Sequence, residues 1–132
     1  MTNPAPITTL YAGVLGLLFG GLSLHVALTR MLLRQSLGDG GNKPLLRAVR
    51  IHGNAAEYTP FLLLLVLLLE LGGVGAAWLH GLGGAMVAGR ILHAVGLSMR
   101  ASANNVRRLG AVLSIGSTMT AAARVLMLGL GM

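Results

Sequence analysis

Residues 44–71 read PLLRAVRIHGNAAEYTPFLLLLVLLLEL, an apolar run with a polar beginning. Arg47, Arg50, Asn54 and Glu57 are separated by three, seven and ten residues from the first of them. On an α-helix those offsets return to one side, so the polar groups form a single stripe. The same helix continues into FLLLLVLLLEL, a hydrocarbon-like segment. An ionisable residue at the centre of a membrane span costs roughly 2.5 to 3.5 kcal/mol on insertion scales, so such residues face a bundle interior or a watery cavity. A helix of this kind predicts an all-α membrane protein in which the stripe meets other helices.

The rest of the chain agrees. Its 132 residues are 55% hydrophobic and 10% charged, with a mean hydropathy of +0.78, far from the balance of a soluble domain. Stretches long enough to cross about 30 Å of hydrocarbon, around 20 residues each, are expected near 7–33, 44–71, 75–98 and 106–130. The economical reading is one four-helix transmembrane bundle filling residues 1–132. The amino terminus, MTNPAPITT, has no basic segment of a secretory signal, so the first helix is expected to stay in the chain as a span. Cysteine is absent, which excludes disulfides and a protein thiol nucleophile.

Net charge is +7, and its placement says more than its size. Arg30, Arg34, Lys43, Arg47 and Arg50 bracket the first connection, and Arg100, Arg107 and Arg108 surround the third. The excess of basic residues on cytoplasmic loops then places the first and third loops in the cytoplasm and both termini outside it. Nucleic acid is a poor partner for charge that sits beside membrane spans in a chain with 4% aromatic residues.

Gly13, Gly16, Gly20 and Ser23 share a face of the first helix, and Gly81, Ala85 and Gly89 repeat every four residues in the third; both faces predict close helix packing. RQSLGDGGNKP is a polar turn, with Pro44 suited to the first turn of the second helix. Pro60 deprives one carbonyl of its donor and predicts a kink near residues 56–60. Asn104 or Asn105 is placed to cap the fourth helix. Arg124 and Glu70 come to similar depth near the outer surface, where an ion pair is expected.

Depth also gathers polar residues at the other end. Arg30, Arg47, Arg50, Asn54, Glu57, Arg90, His93, Arg107 and Arg108 all fall on the side predicted to be cytoplasmic. Several guanidinium groups, an amide, a carboxylate and an imidazole suit a small ligand bearing both carboxylates and an ammonium group: arginine binds carboxylates through paired hydrogen bonds, and Glu57 accepts from the ammonium. The plainer alternative for Arg50, Asn54 and Glu57 is a polar clamp between helices, since buried charges can fix register without strong stabilisation. His93 by itself also reads as a structural histidine. With no matching acidic cluster, no metal site is expected.

RAVRIHGNAAEYTPF resembles the second-helix signature of the membrane-associated proteins in eicosanoid and glutathione metabolism, the MAPEG family. The pattern of Arg, three residues, Asn, two residues, Glu, Tyr and a nearby Pro is matched by Arg50, Asn54, Glu57, Tyr58 and Pro60. GRILHAVG and NNVRRLG also look like family segments. The resemblance implies a homotrimer of four-helix subunits that holds glutathione between neighbours near the cytoplasmic face. Arg50, Asn54, Glu57 and Tyr58 would bind the tripeptide, Arg90 and His93 would contribute from the third helix, and Arg30 would join them; Arg47 is assigned to the same ligand site by its depth on the stripe alone. Arg107 or, through a one-residue shift, Arg108 would stabilise the thiolate, and Arg34 can stand in for Arg30.

The chemistry implied is a membrane glutathione transferase, possible peroxidase activity included, acting on a lipophilic electrophile. One departure stands out. Several eicosanoid-type members carry a Tyr one turn beyond the position of His93, where this chain has Leu97. A non-catalytic lipid- or ligand-binding protein is therefore the competing expectation. A small multidrug transporter is a further alternative that fits four spans and Glu57, although such transporters usually carry their carboxylate in the first helix.

Overall fold

The computed structural model describes residues 2–99 and 104–132. Arg100, counted above in the charge of the third connection, lies outside the described residues. Four helices follow in order: α1 (Pro6–Leu33), α2 (Lys43–Leu71), α3 (Ala76–Ser98) and α4 (Asn105–Gly129). Their ends lie within about a residue of the expected spans because the polar punctuation is strong. Asn42 accepts from the Leu45 amide at 3.0 Å, with Pro44 in the first turn of α2. Asn104 accepts from the Arg107 amide at 2.8 Å and so caps α4. The first connection turns on Gly38, Gly40 and Gly41, all at positive φ, a conformation in which a Cβ would be strained.

The chain is an integral membrane protein. Among the described residues, α1, α2 and α4 are each long and apolar enough to cross a bilayer, whereas α3 is not. This corrects the expectation of four comparably apolar spans. At 23 residues α3 has the length, but His80, Arg90, His93 and repeated glycines dilute its apolar character. It holds its place by packing instead: the α3–α4 interface is the most extensive in the chain. A Cβ on Gly96 would lie 2.6 Å from the Arg107 amide nitrogen, and one on Gly110 would lie 2.5 Å from the His93 nitrogen. These helices meet backbone to backbone.

The glycine faces expected from sequence are only partly used. Gly89 packs against α4, with Ser114 Oγ 2.5 Å and the Gly110 carbonyl 3.0 Å from where its Cβ would be. Around Gly81 on α3, and around Gly13, Gly16 and Gly20 on α1, the same test meets nothing within 4 Å. On α1 the partners are α2 and α3, and among the described residues it does not pack on α4.

The leucine-rich half of α2 supplies the core. Leu62, Leu65, Val66 and Leu69 point inward to meet Leu15, Leu79, Leu82, Met86 and Ala121, while Phe61, Leu64 and Leu68 stay exposed. The helix runs without interruption through Pro60. Leu17 and Leu32 are more than 80% exposed.

Glu70 has a different partner from the one expected. Its two carboxylate oxygens accept from the amides of Ile7 and Thr8, at 2.8 and 2.7 Å, and among the described residues no ion pair joins it to Arg124. The first turn of α1 offers two aligned amides without helical partners and the positive end of the helix dipole. A carboxylate gains from both at once. Nearby, the Tyr11 hydroxyl donates to the His80 carbonyl at 3.1 Å, and its ring fills the space left by Gly83.

Candidate functional site

At the end of the bundle away from Glu70, one crevice of about 250 Å³ is lined by Leu46, Arg47, Arg50, Asn54, His93, Leu97 and Arg107. It gathers α2, α3 and the first turn of α4. Helical spacing puts Arg47, Arg50 and Asn54 on one wall. The close α3–α4 contact brings Arg107 opposite, because Gly96 lets the start of α4 lie directly on α3. Asn104 reinforces that contact by donating to the Gly96 carbonyl at 2.8 Å. A larger hollow of about 330 Å³, bounded by Ala77, Trp78, Gly81 and Leu82, offers no ionisable side chain for chemistry.

The remaining predicted site residues divide into those that support the crevice and those that stand apart. Arg90 is buried, at 4% exposure. Its Nη1 donates to the Asn54 carbonyl and Oδ1, at 3.1 and 2.5 Å, and its other nitrogens donate to Ser114 Oγ. The guanidinium also lies 4.9 Å from the centre of the Tyr58 ring, a cation–π geometry. Arg90 and Tyr58 therefore back the wall and do not form its surface.

Glu57 sits one turn beyond Asn54 and is exposed, outside the crevice of the single chain. Arg108 lines a neighbouring hollow of about 230 Å³ with Asn104, Arg107 and Ala111. Arg30 is engaged at its own end of α1, where Nη1 donates to the carbonyls of Gln35 and Gly38 at 3.3 and 2.8 Å, so it braces the first connection. His52 faces α1, with Nε2 2.9 Å from Ser23 Oγ and its ring tilted against Phe19.

Sequence reasoning passed over Ser114 and Leu46. A serine within an apolar helix commonly bonds to a carbonyl of its own turn, and Ser114 does so with Gly110 at 2.8 Å. Nothing in its spacing announces that the same hydroxyl also receives a buried arginine.

Comparison with known proteins bears on this arrangement. The MAPEG family profile matches residues 8–127, nearly the whole chain. The inner membrane protein YecN of Escherichia coli strain K12 is 39% identical over 94 residues, covering 71% of this chain and 72% of the relative. The same figures hold for YecN of Escherichia coli O6:H1 strain CFT073. No solved structure matches.

Proposed function

We propose, from the premise that this chain belongs to the MAPEG family, that it is a membrane-embedded glutathione transferase whose four helices form one unit in the bilayer. The observation carrying this reading is the convergence of Arg47, Arg50, Asn54, His93 and Arg107 on one crevice. Guanidinium groups at that spacing present paired donors to carboxylates, and glutathione bears two of them. Its ammonium group needs an acceptor, which Glu57 supplies one turn along α2.

The single-chain crevice falls just below the roughly 300–1,000 Å³ of small-molecule sites. Glu57 is exposed beside it. Both features support a second wall from another copy, and hence the homotrimer that the family resemblance implies. In that assembly the arginine end of the bundle faces the cytoplasm, with both termini on the opposite side.

Arg107 is the thiolate stabiliser in this reading, since it lines the crevice directly and Arg108 only the adjoining hollow. A free thiol ionises near pH 8.5, and a neighbouring guanidinium together with a helix amino terminus lowers that value. The glutathione S–H loses its proton to water. The sulfur then attacks an electrophilic carbon of a lipid-dissolved substrate, forming a C–S bond as the leaving group departs with the electron pair of the bond that breaks.

Calorimetry on purified protein tests the site. Glutathione is expected to bind the wild type and to lose at least about tenfold in affinity with Arg50→Ala, the scale of a lost charged hydrogen-bond pair; equal heats would remove these assignments. A second reading, a non-catalytic binder, is favoured by Leu97 in the crevice wall, where a phenol is absent. Glutathione binding without conjugation across a panel of electrophiles would select it.

A further inference from the structure

The crevice contains an amide whose orientation is set from behind. Asn54 offers a carbonyl oxygen and an NH₂ group of nearly equal size, and which one faces a ligand decides whether that position accepts or donates. Arginine has only donors. The amide atom 2.5 Å from Arg90 Nη1 is therefore the oxygen, Oδ1, and the two N–H groups are left as the amide's remaining donors at the crevice wall.

The guanidinium is fixed in turn. Its Nε donates to Ser114 Oγ at 3.1 Å and its Nη2 donates to the same oxygen. That oxygen has its own proton committed, donating to the Gly110 carbonyl at 2.8 Å, so its lone pairs are the part available to Arg90. Ser114 is completely buried and is absent from the crevice lining. It reaches Arg90 because α3 and α4 approach through glycine: a Cβ on Gly89 would sit 2.5 Å from Ser114 Oγ.

We infer that Ser114 is a positioning residue: acting through Arg90, it locks the Asn54 amide with its oxygen inward and its N–H groups toward the crevice, so that this position selects a ligand carboxylate. The ligand's identity rests on the glutathione reading above, whereas the orientation of the amide does not. A buried network whose members are all satisfied gives one arrangement. Breaking it frees the amide to rotate and present its acceptor to an anion.

The test combines a thermodynamic cycle with a ligand-free spectrum. Glutathione affinity is measured for wild type, Ser114→Ala, Asn54→Ala and the double variant. Ser114→Ala is expected to weaken binding about fivefold to tenfold, the effect of one hydrogen bond. In the Asn54→Ala background the same change is expected to fall below about twofold, since coupled residues depart from additivity. An undiminished loss there would show a general packing role and overturn the inference.

Asn54→Asp supplies a sharper signature. Aspartate matches the amide in shape but presents only acceptors, so it is expected to bind glutathione more weakly than Asn54→Ala does; the reverse order overturns the inference. In ¹⁵N-labelled protein without ligand, Ser114→Ala is expected to speed exchange of the Arg90 Nε proton and shift the Asn54 side-chain amide signals. Unchanged signals count against the network. If wild type binds no glutathione, the functional reading falls, and these spectra alone decide the positioning role. Should Ser114→Ala not fold, Arg90→Lys carries the same cycle, because an ammonium cannot span both Ser114 and Asn54 as the guanidinium does.

Discussion

The glycines of α3 and α4 and those of α1 look alike in sequence, small residues spaced along apolar helices, yet the fold treats them in opposite ways. Gly89, Gly96 and Gly110 are consumed within the chain: atoms of the opposing helix lie 2.5, 2.6 and 2.5 Å from where their Cβ atoms would stand. Gly13, Gly16 and Gly20 face open space. The difference lies in what the neighbours offer. Between α3 and α4 the approach is rewarded by polar closure, with Arg90 on Ser114 and Asn104 on Gly96. On α1 the polar contacts to facing helices belong to other residues, with Ile7 and Thr8 on Glu70, Tyr11 on His80 and Ser23 on His52.

The largest effect should come from filling the occupied face. Gly110→Ala and Gly96→Ala each place a methyl group against backbone atoms that cannot rotate away, and a loss of about 1 to 3 kcal/mol or more is expected from overpacking. Thermal unfolding of the purified protein in detergent measures it, and unchanged midpoints would mean that the two helices are not in backbone contact. Glu70→Ala should rank next. It strips two amides of α1 of their acceptor at a cost of about 1 to 3 kcal/mol. Hydrogen exchange should quicken at Ile7 and Thr8, while the α3 and α4 amides stay protected; a uniform rise across all helices would contradict a local role.

The smallest effect belongs to the open face. Gly16→Ala meets nothing in the single chain and replaces a flexible residue inside a helix, so stability should rise by about 0.5 to 1 kcal/mol. A drop in the unfolding midpoint, or a change in the size of the particle on gel filtration, would show instead that this face is occupied by another molecule of the same chain.

Helix positions were legible because long apolar runs, the polar turn ending at Pro44, and the Asn104–Asn105 pair left little freedom in where helices start and stop. The basic crevice was legible for a related reason: depth along a helix follows from residue number, so Arg47, Arg50, Asn54, His93 and Arg107 could be assigned to one level. Rotation about the helix axis is much harder to read. Hence nothing in the sequence announces that Arg90 lies buried behind Asn54, or that Arg30 bonds to the carbonyls of the first connection. The partner of Glu70 was hidden for another reason. Backbone amides at a helix start carry no side-chain signal, so Arg124 appeared to be the natural counter-charge.

That tie between Glu70 and the first turn of α1 also bears on the order of assembly. Residues 7 and 70 mark the two open ends of a hairpin whose closed end is the turn at residues 34–42, so the carboxylate fastens it shut once α2 has emerged. A ribosome that has made little more than half of the chain has already supplied both halves of the clasp. Neither α3 nor α4 is needed to satisfy the Ile7 and Thr8 amides, because both partners of the clasp lie in the first half of the chain.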